Sequence, residues 1–185
     1  MVNNAQWSVV TGKLYNAVLI QIVCSFLAIL FGAFGGVSFG VTAILALIAA
    51  IGAAVGYVLF FIGLGEWRQI VDPNDFKGVN RLRTAVLLNI IGIILGCIPL
   101  LGWIGSILSF IGFILMLLGY GELKKSATFP EMARVGAGKI HTSMILNIVA
   151  VVLGLIPVAG GFIELVVSIV AFYFMFTGWK AIAKS

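Results

Sequence analysis

Leu82–Leu123 reads LRTAVLLNIIGIILGCIPLLGWIGSILSFIGFILMLLGYGEL, and its only charged residues, Arg83 and Glu122, stand at its two ends. Between them an apolar run pauses at Pro99, which supplies no backbone N–H and ends a helix. The two halves, 82–98 and 102–120, contain 17 and 19 residues. At roughly 1.5 Å per residue they reach about 26–28 Å, the thickness of a thin bilayer core. The stretch therefore predicts a helical hairpin that crosses a membrane twice and returns its charged ends to one side.

Similar runs lie on either side of it, at 14–34 and 41–64 before it and at 140–156 and 160–178 after it. Each is continuous enough to satisfy its own backbone hydrogen bonds in lipid as a helix. With 62% hydrophobic and 9% charged residues, the composition lies far from that of a water-soluble domain. The expected fold is an all-α integral membrane protein, a single membrane domain over 1–185 with six transmembrane helices arranged as three repeated hairpins.

The repeat is visible in the letters. LYNAVLIQ begins at Leu14, LRTAVLLN at Leu82 and IHTSMILN at Ile140, shifts of 68 and 58, and each follows a cation, Lys13, Arg81 or Lys139. The outer turns LGCIPLLG and LGLIPVAG match in the second and third units, and the exits GLGEW at Gly63 and GYGEL at Gly119 match in the first and second. The units span about 13–68, 81–125 and 139–185, joined by connections at about 65–81 and 121–139.

All eleven Lys and Arg residues fall on the connection side. Arg68, Lys77, Arg81, Lys124, Lys125, Arg134 and Lys139 lie in the connections, Lys13, Lys180 and Lys184 near the two ends, and Arg83 just inside the third span. The positive-inside rule makes that side, and with it both termini, cytoplasmic. Trp67 and Trp179 are expected as interfacial anchors there, with Trp103 at the far border. The net charge of +5 does not point to nucleic acid, because the cations sit at segment ends and not in a basic stripe interleaved with aromatics. Anionic lipid headgroups are the expected partner, and the connection cations named above are candidate headgroup or protein contacts. Asp72-Pro73 has the form of a helix start, Thr128 and Glu131 have capping-box spacing, and Phe76, Phe129 and Met132 are placed to dip into the headgroup layer. The first residues lack the cationic region of a signal peptide, so the first span is expected to be retained. A bacterial cytoplasmic (inner) membrane fits these features.

Each unit carries a stripe of small residues interrupted by one amide: Ala17, Gln21, Cys24, Ala28; Ala85, Asn89, Gly92, Gly96; Ser143, Asn147, Ala150, Gly154. Steps of 4, 3 and 4 keep each set on one helical face. Small residues allow helices to approach closely in lipid, where packing and interhelical hydrogen bonds drive association. Gln21, Asn89 and Asn147 thus have two readings: hydrogen bonds between neighbouring helices, or a polar ring on a pseudo-threefold axis. Glu164 is the sole charge on the far side and the candidate far-side acid.

Catalytic readings find little support. The single histidine, His141, begins the fifth span at the cytoplasmic side, whereas Ser106 lies near the opposite face, too far for a dyad. Cys24 and Cys97 occupy unrelated repeat positions, and no cluster has metal-ligand spacing, so no metal or cofactor is expected. The GxGE sequences at Gly63 and Gly119 lack the third glycine and the strand context of a dinucleotide loop. In outline the chain is similar to the membrane subunits of energy-coupling-factor vitamin transporters, which present an alanine stripe from the first span; here Ala46, Ala50 and Ala54 lie on the second. Three two-helix repeats are also similar to mitochondrial carriers, but Pro99 and Pro157 are not followed by the carriers' acid-basic signature. Neither likeness assigns a family. The sequence favours a non-enzymatic multi-pass membrane protein with a structural, assembly or partner-binding role, joined to a second copy or a membrane-complex partner. The alternative is a small-solute transporter or channel subunit that uses the amide ring.

Overall fold

The computed structural model describes residues 4–33, 40–156 and 160–185, and it is all-helical. Six helices are long and apolar enough to cross a membrane: α1 (Asn4–Ala33), α2 (Val41–Ile70), α3 (Phe76–Gly96), α4 (Gly102–Leu123), α5 (Glu131–Gly154) and α6 (Gly160–Ala183). Large apolar side chains such as Phe26, Ile44, Phe110 and Phe162 are exposed along their outer surfaces, as lipid-facing residues are. Of the outer turns expected at 35–40 and 157–159, only Gly40 falls among the described residues.

The most extensive packing joins α1 to α2, α3 to α4 and α5 to α6. Lesser contacts link α2 to α3, α4 to α5 and α6 back to α1, so the pairs close into a ring. Positions related by the shifts of 68 and 58 are buried together: Leu14, Leu82 and Ile140; Ala17, Ala85 and Ser143; Val18, Val86 and Met144. In each pair the same contact recurs. Leu14 overlies Gly63, Leu82 overlies Gly119 and Ile140 overlies Gly178, so closely that a methyl on the glycine would fall 2.7–2.8 Å from the side chain. Farther along, Cys24 faces Gly52, and Gly92 and Gly105 meet backbone to backbone. The small-residue stripes thus face the partner helix of their own pair.

Two sequence expectations are corrected and a third, the helix start at Asp72, is borne out. Helix α1 starts ten residues before its apolar run, and α3 and α5 also start early, because their first turns are held by buried residues such as Trp7, Val79 and Ala133. Much of the two connections is therefore helix. Asp72 does cap a short 3-10 turn, Pro73–Asp75, accepting from the Asn74 N–H at 3.0 Å, but that turn runs directly into α3. Thr128 forms no capping box: its Oγ1 donates to Asp75 Oδ2 at 3.0 Å, and α5 begins after Pro130 without a side-chain cap.

The α3–α4 connection is a turn closed by the Leu101 N–H donating to the Ile98 carbonyl at 3.1 Å. Pro99 takes its second position and Leu100 its third, where φ is 73°. A type II turn needs that left-handed conformation and normally places glycine there. Leu100 holds it with its side chain 91% exposed.

Candidate functional site at the basic end

Both long connections and the flanking helix ends converge at one end of the ring. Trp7 Nε1 donates to Ser185 Oγ at 3.0 Å across 178 positions of the chain. Between the helix pairs at this end lies a cluster of aromatic rings. Trp7 stands 5.9 Å from Trp67, and Phe129 lies 5.5 Å from each of them. Trp67 continues to Trp179 at 6.4 Å, and Trp179 meets Phe60 at 5.2 Å and Tyr120 at 6.1 Å. Every pair contributes, and the α4–α5 connection adds Phe129.

Trp67 is 0% exposed and Trp179 2%, so neither is the interfacial anchor that its place at the segment border suggests. Phe129 is likewise buried in the cluster and does not dip into a headgroup layer, while Met132 is exposed and Phe76 lies under the Arg68 guanidinium at 5.5 Å. Trp103, at the other end of the helices, is exposed. The buried Trp67 Nε1–H has no hydrogen-bond partner among the described residues.

Around this seal the charges are arranged in pairs. Lys13 Nζ donates to Glu66 Oε2 at 2.8 Å, and Arg81 Nη1 to Glu122 Oε1 at 2.7 Å. Lys13 and Arg81 are equivalent under the sequence shift, and both acids come from the GxGE exits. Lys77 reaches the same Glu122 oxygen at 3.2 Å. In the third pair Ala181 follows Gly178 at the acid's spacing, and Lys139 forms no ion pair among the described residues. Arg83 lies over Phe61 at 4.8 Å, and Arg134 donates to the Ser126 carbonyl at 3.4 Å. Between α3, α4, the segment that follows α4 and His141 of α5 a cleft of about 610 Å³ opens, bordered by Lys77, Arg81, Lys124 and Lys125. Lys124 Nζ stands 2.9 Å from His141 Nδ1 on its wall.

The three amides lie farther along the helices. Gln21 packs closely against Gly56 on α2. Asn89 Oδ1 lies beside Gly112 on α4, and Asn147 is exposed. Gln21 and Asn89 are thus engaged with the helix partner of their own pair. Glu164 packs against Gly154, so the far-side acid meets the glycine that ends the third stripe.

The sequence reading missed Trp7, Phe60 and Tyr120 as members of the seal. A signal was present: Phe176-Thr177-Gly178-Trp179 aligns with Phe61-Ile62-Gly63-Leu64 and Leu117-Leu118-Gly119-Tyr120, and the residue after each glycine is buried. No family model, curated protein or solved structure matches the chain.

Proposed function

We propose that this chain is a non-enzymatic integral membrane protein that serves as an assembly component, built from three copies of one hairpin and oriented with its basic end toward the cytoplasm, as in a bacterial inner membrane. The observation that carries this reading is the aromatic seal. Six rings from all three helix pairs and one connection fill the place where a solute path would leave the bundle. Among the described residues the polar groups at the rings are isolated ones: the orphaned Trp67 N–H, the Trp7 N–H held by Ser185, the buried Tyr120 hydroxyl, and the Thr11 hydroxyl, which donates to the Trp7 carbonyl of its own helix. The shared burial of shift-related positions supports the repeat, and the one-sided cations support the orientation. The packing of Gln21 on Gly56 and of Asn89 on Gly112 supports the packing reading of the amides over a polar ring.

The test combines two measurements. Proteoliposomes under potassium, proton and glycerol gradients should show no flux above empty liposomes, and cross-linking in native membranes should give a defined species heavier than the 19.7 kDa chain. Saturable flux by the wild-type protein that Asn89→Leu abolishes at unchanged thermal stability would overturn the proposal in favour of a transporter or channel subunit.

A further inference from the structure

We infer that the cleft between α3, α4, the segment that follows α4 and His141 of α5 is a binding site for one anionic phospholipid. Its volume of about 610 Å³ falls within the roughly 300–1,000 Å³ of small-ligand sites. The charges on its border are unevenly compensated. Glu122 is shared by Arg81 and Lys77, and Asp75 is buried and receives the Thr128 hydroxyl. Among the described residues Lys124 pairs with the His141 ring nitrogen and with no acid, and Lys125 is exposed without an ion pair. Two cations thus remain for a ligand's negative charge. A phosphate diester suits them, because lysine binds phosphate as a mobile point charge.

The apolar part of the cleft selects among phosphate ligands. Leu117 and Leu118 line it on the membrane-spanning length of α4, and Leu118 is exposed on the helix surface. A ligand with its phosphate at Lys124 and Lys125 can therefore lay hydrocarbon along α4. Free phosphate leaves that wall in water, and an acidic peptide has no chain to match it. The inference rests on the reading that this end lies at a membrane surface, and it is independent of any assembly role.

The test is native mass spectrometry of the full chain released from bilayers holding equal parts of phosphatidylglycerol and phosphatidylcholine. The wild-type protein should retain one phosphatidylglycerol in preference to phosphatidylcholine. At about 1 kcal/mol per lysine near the phosphate, K124Q/K125Q should reduce that preference about thirtyfold. K180Q/K184Q, at the same end but outside the cleft, should leave it unchanged, and excess inorganic phosphate should not displace the lipid. Equal losses in the two double variants would reduce the site to general surface charge and overturn it; displacement by phosphate, or by a polyglutamate peptide, would do the same. Should K124Q/K125Q melt early, K125Q alone carries the comparison, because that side chain is exposed. A chain that fails to enter the bilayers would instead refute the membrane reading on which the inference stands.

Discussion

The half of the molecule near the connections and the half beyond it are built from the same six helices but held together differently. In the basic half the pairs contact one another through large side chains, and all the inter-pair aromatic contacts, ion-pair networks and cation–ring contacts described above lie there. Beyond Val18, Phe60, Val86, Tyr120, Met144 and Trp179, the buried residues among those described are only glycine and alanine, among them Gly92, Gly105, Ala49 and Ala150. These settle each helix against its own partner. The molecule thus has a core between pairs at one end and only close helix contacts within pairs at the other. A bundle in lipid can divide these tasks, since hydrocarbon solvates an apolar face and no hydrophobic force compels the pairs to close along their whole length.

Replacing one ring in each half tests this division most severely. Trp67→Ala should lower stability by about 3–5 kcal/mol, whereas Phe110→Ala, exposed on α4, should change it by less than about 0.5 kcal/mol, as read by thermal unfolding in one detergent. Trp67→Phe should recover most of the loss, because it keeps an aromatic body and removes the N–H that lacks an acceptor. Equal losses from Trp67→Ala and Phe110→Ala would show that the far half has a core of its own. A smaller contrast uses glycine. Gly119→Ala puts a methyl 3.0 Å from the Gly78 carbonyl oxygen and should cost about 1–3 kcal/mol, whereas Gly96, with open space beside it, should gain up to about 1 kcal/mol on substitution by alanine. The smallest expected effect is at the outer turn, where Leu100→Gly should stabilise by about 0.5–1 kcal/mol by relieving the left-handed backbone. If Leu100→Gly is destabilising, the exposed leucine is held by something outside this chain.

The six helices were legible because lipid solvent demands long apolar runs, and one side's excess of cations is a property of letters alone. The cap at Asp72 was legible for a similar reason, since it depends on neighbours in sequence. Trp67 and Trp179 were misread because the tendency of tryptophan to sit at a membrane border says nothing about which way it faces there. That direction is set by Trp7, Phe60 and Phe129, which come from other parts of the chain. The early starts of α1, α3 and α5 escaped notice for a related reason. Their first turns are polar on average, and their helicity is stabilised by the few residues buried in the core, such as Val79 and Ala133. The cleft was half legible: Lys77, Arg81, Lys124 and Lys125 were named as contacts, but their arrangement depends on α5 bringing His141 to Lys124.

Phe129 has a consequence for the order of events during synthesis. It belongs to the segment between the second and third helix pairs, yet it packs on Trp7 and Trp67 of the first, and Trp179 arrives later still. Each pair can insert and settle by its own glycine contacts as it leaves the ribosome, in the manner of two-stage membrane folding. The seal closes only once α6 is made. Until then Trp7 and Trp67 stand without their later partners, so quality control that senses exposed aromatic surface at the basic end would distinguish a finished chain from a truncated one.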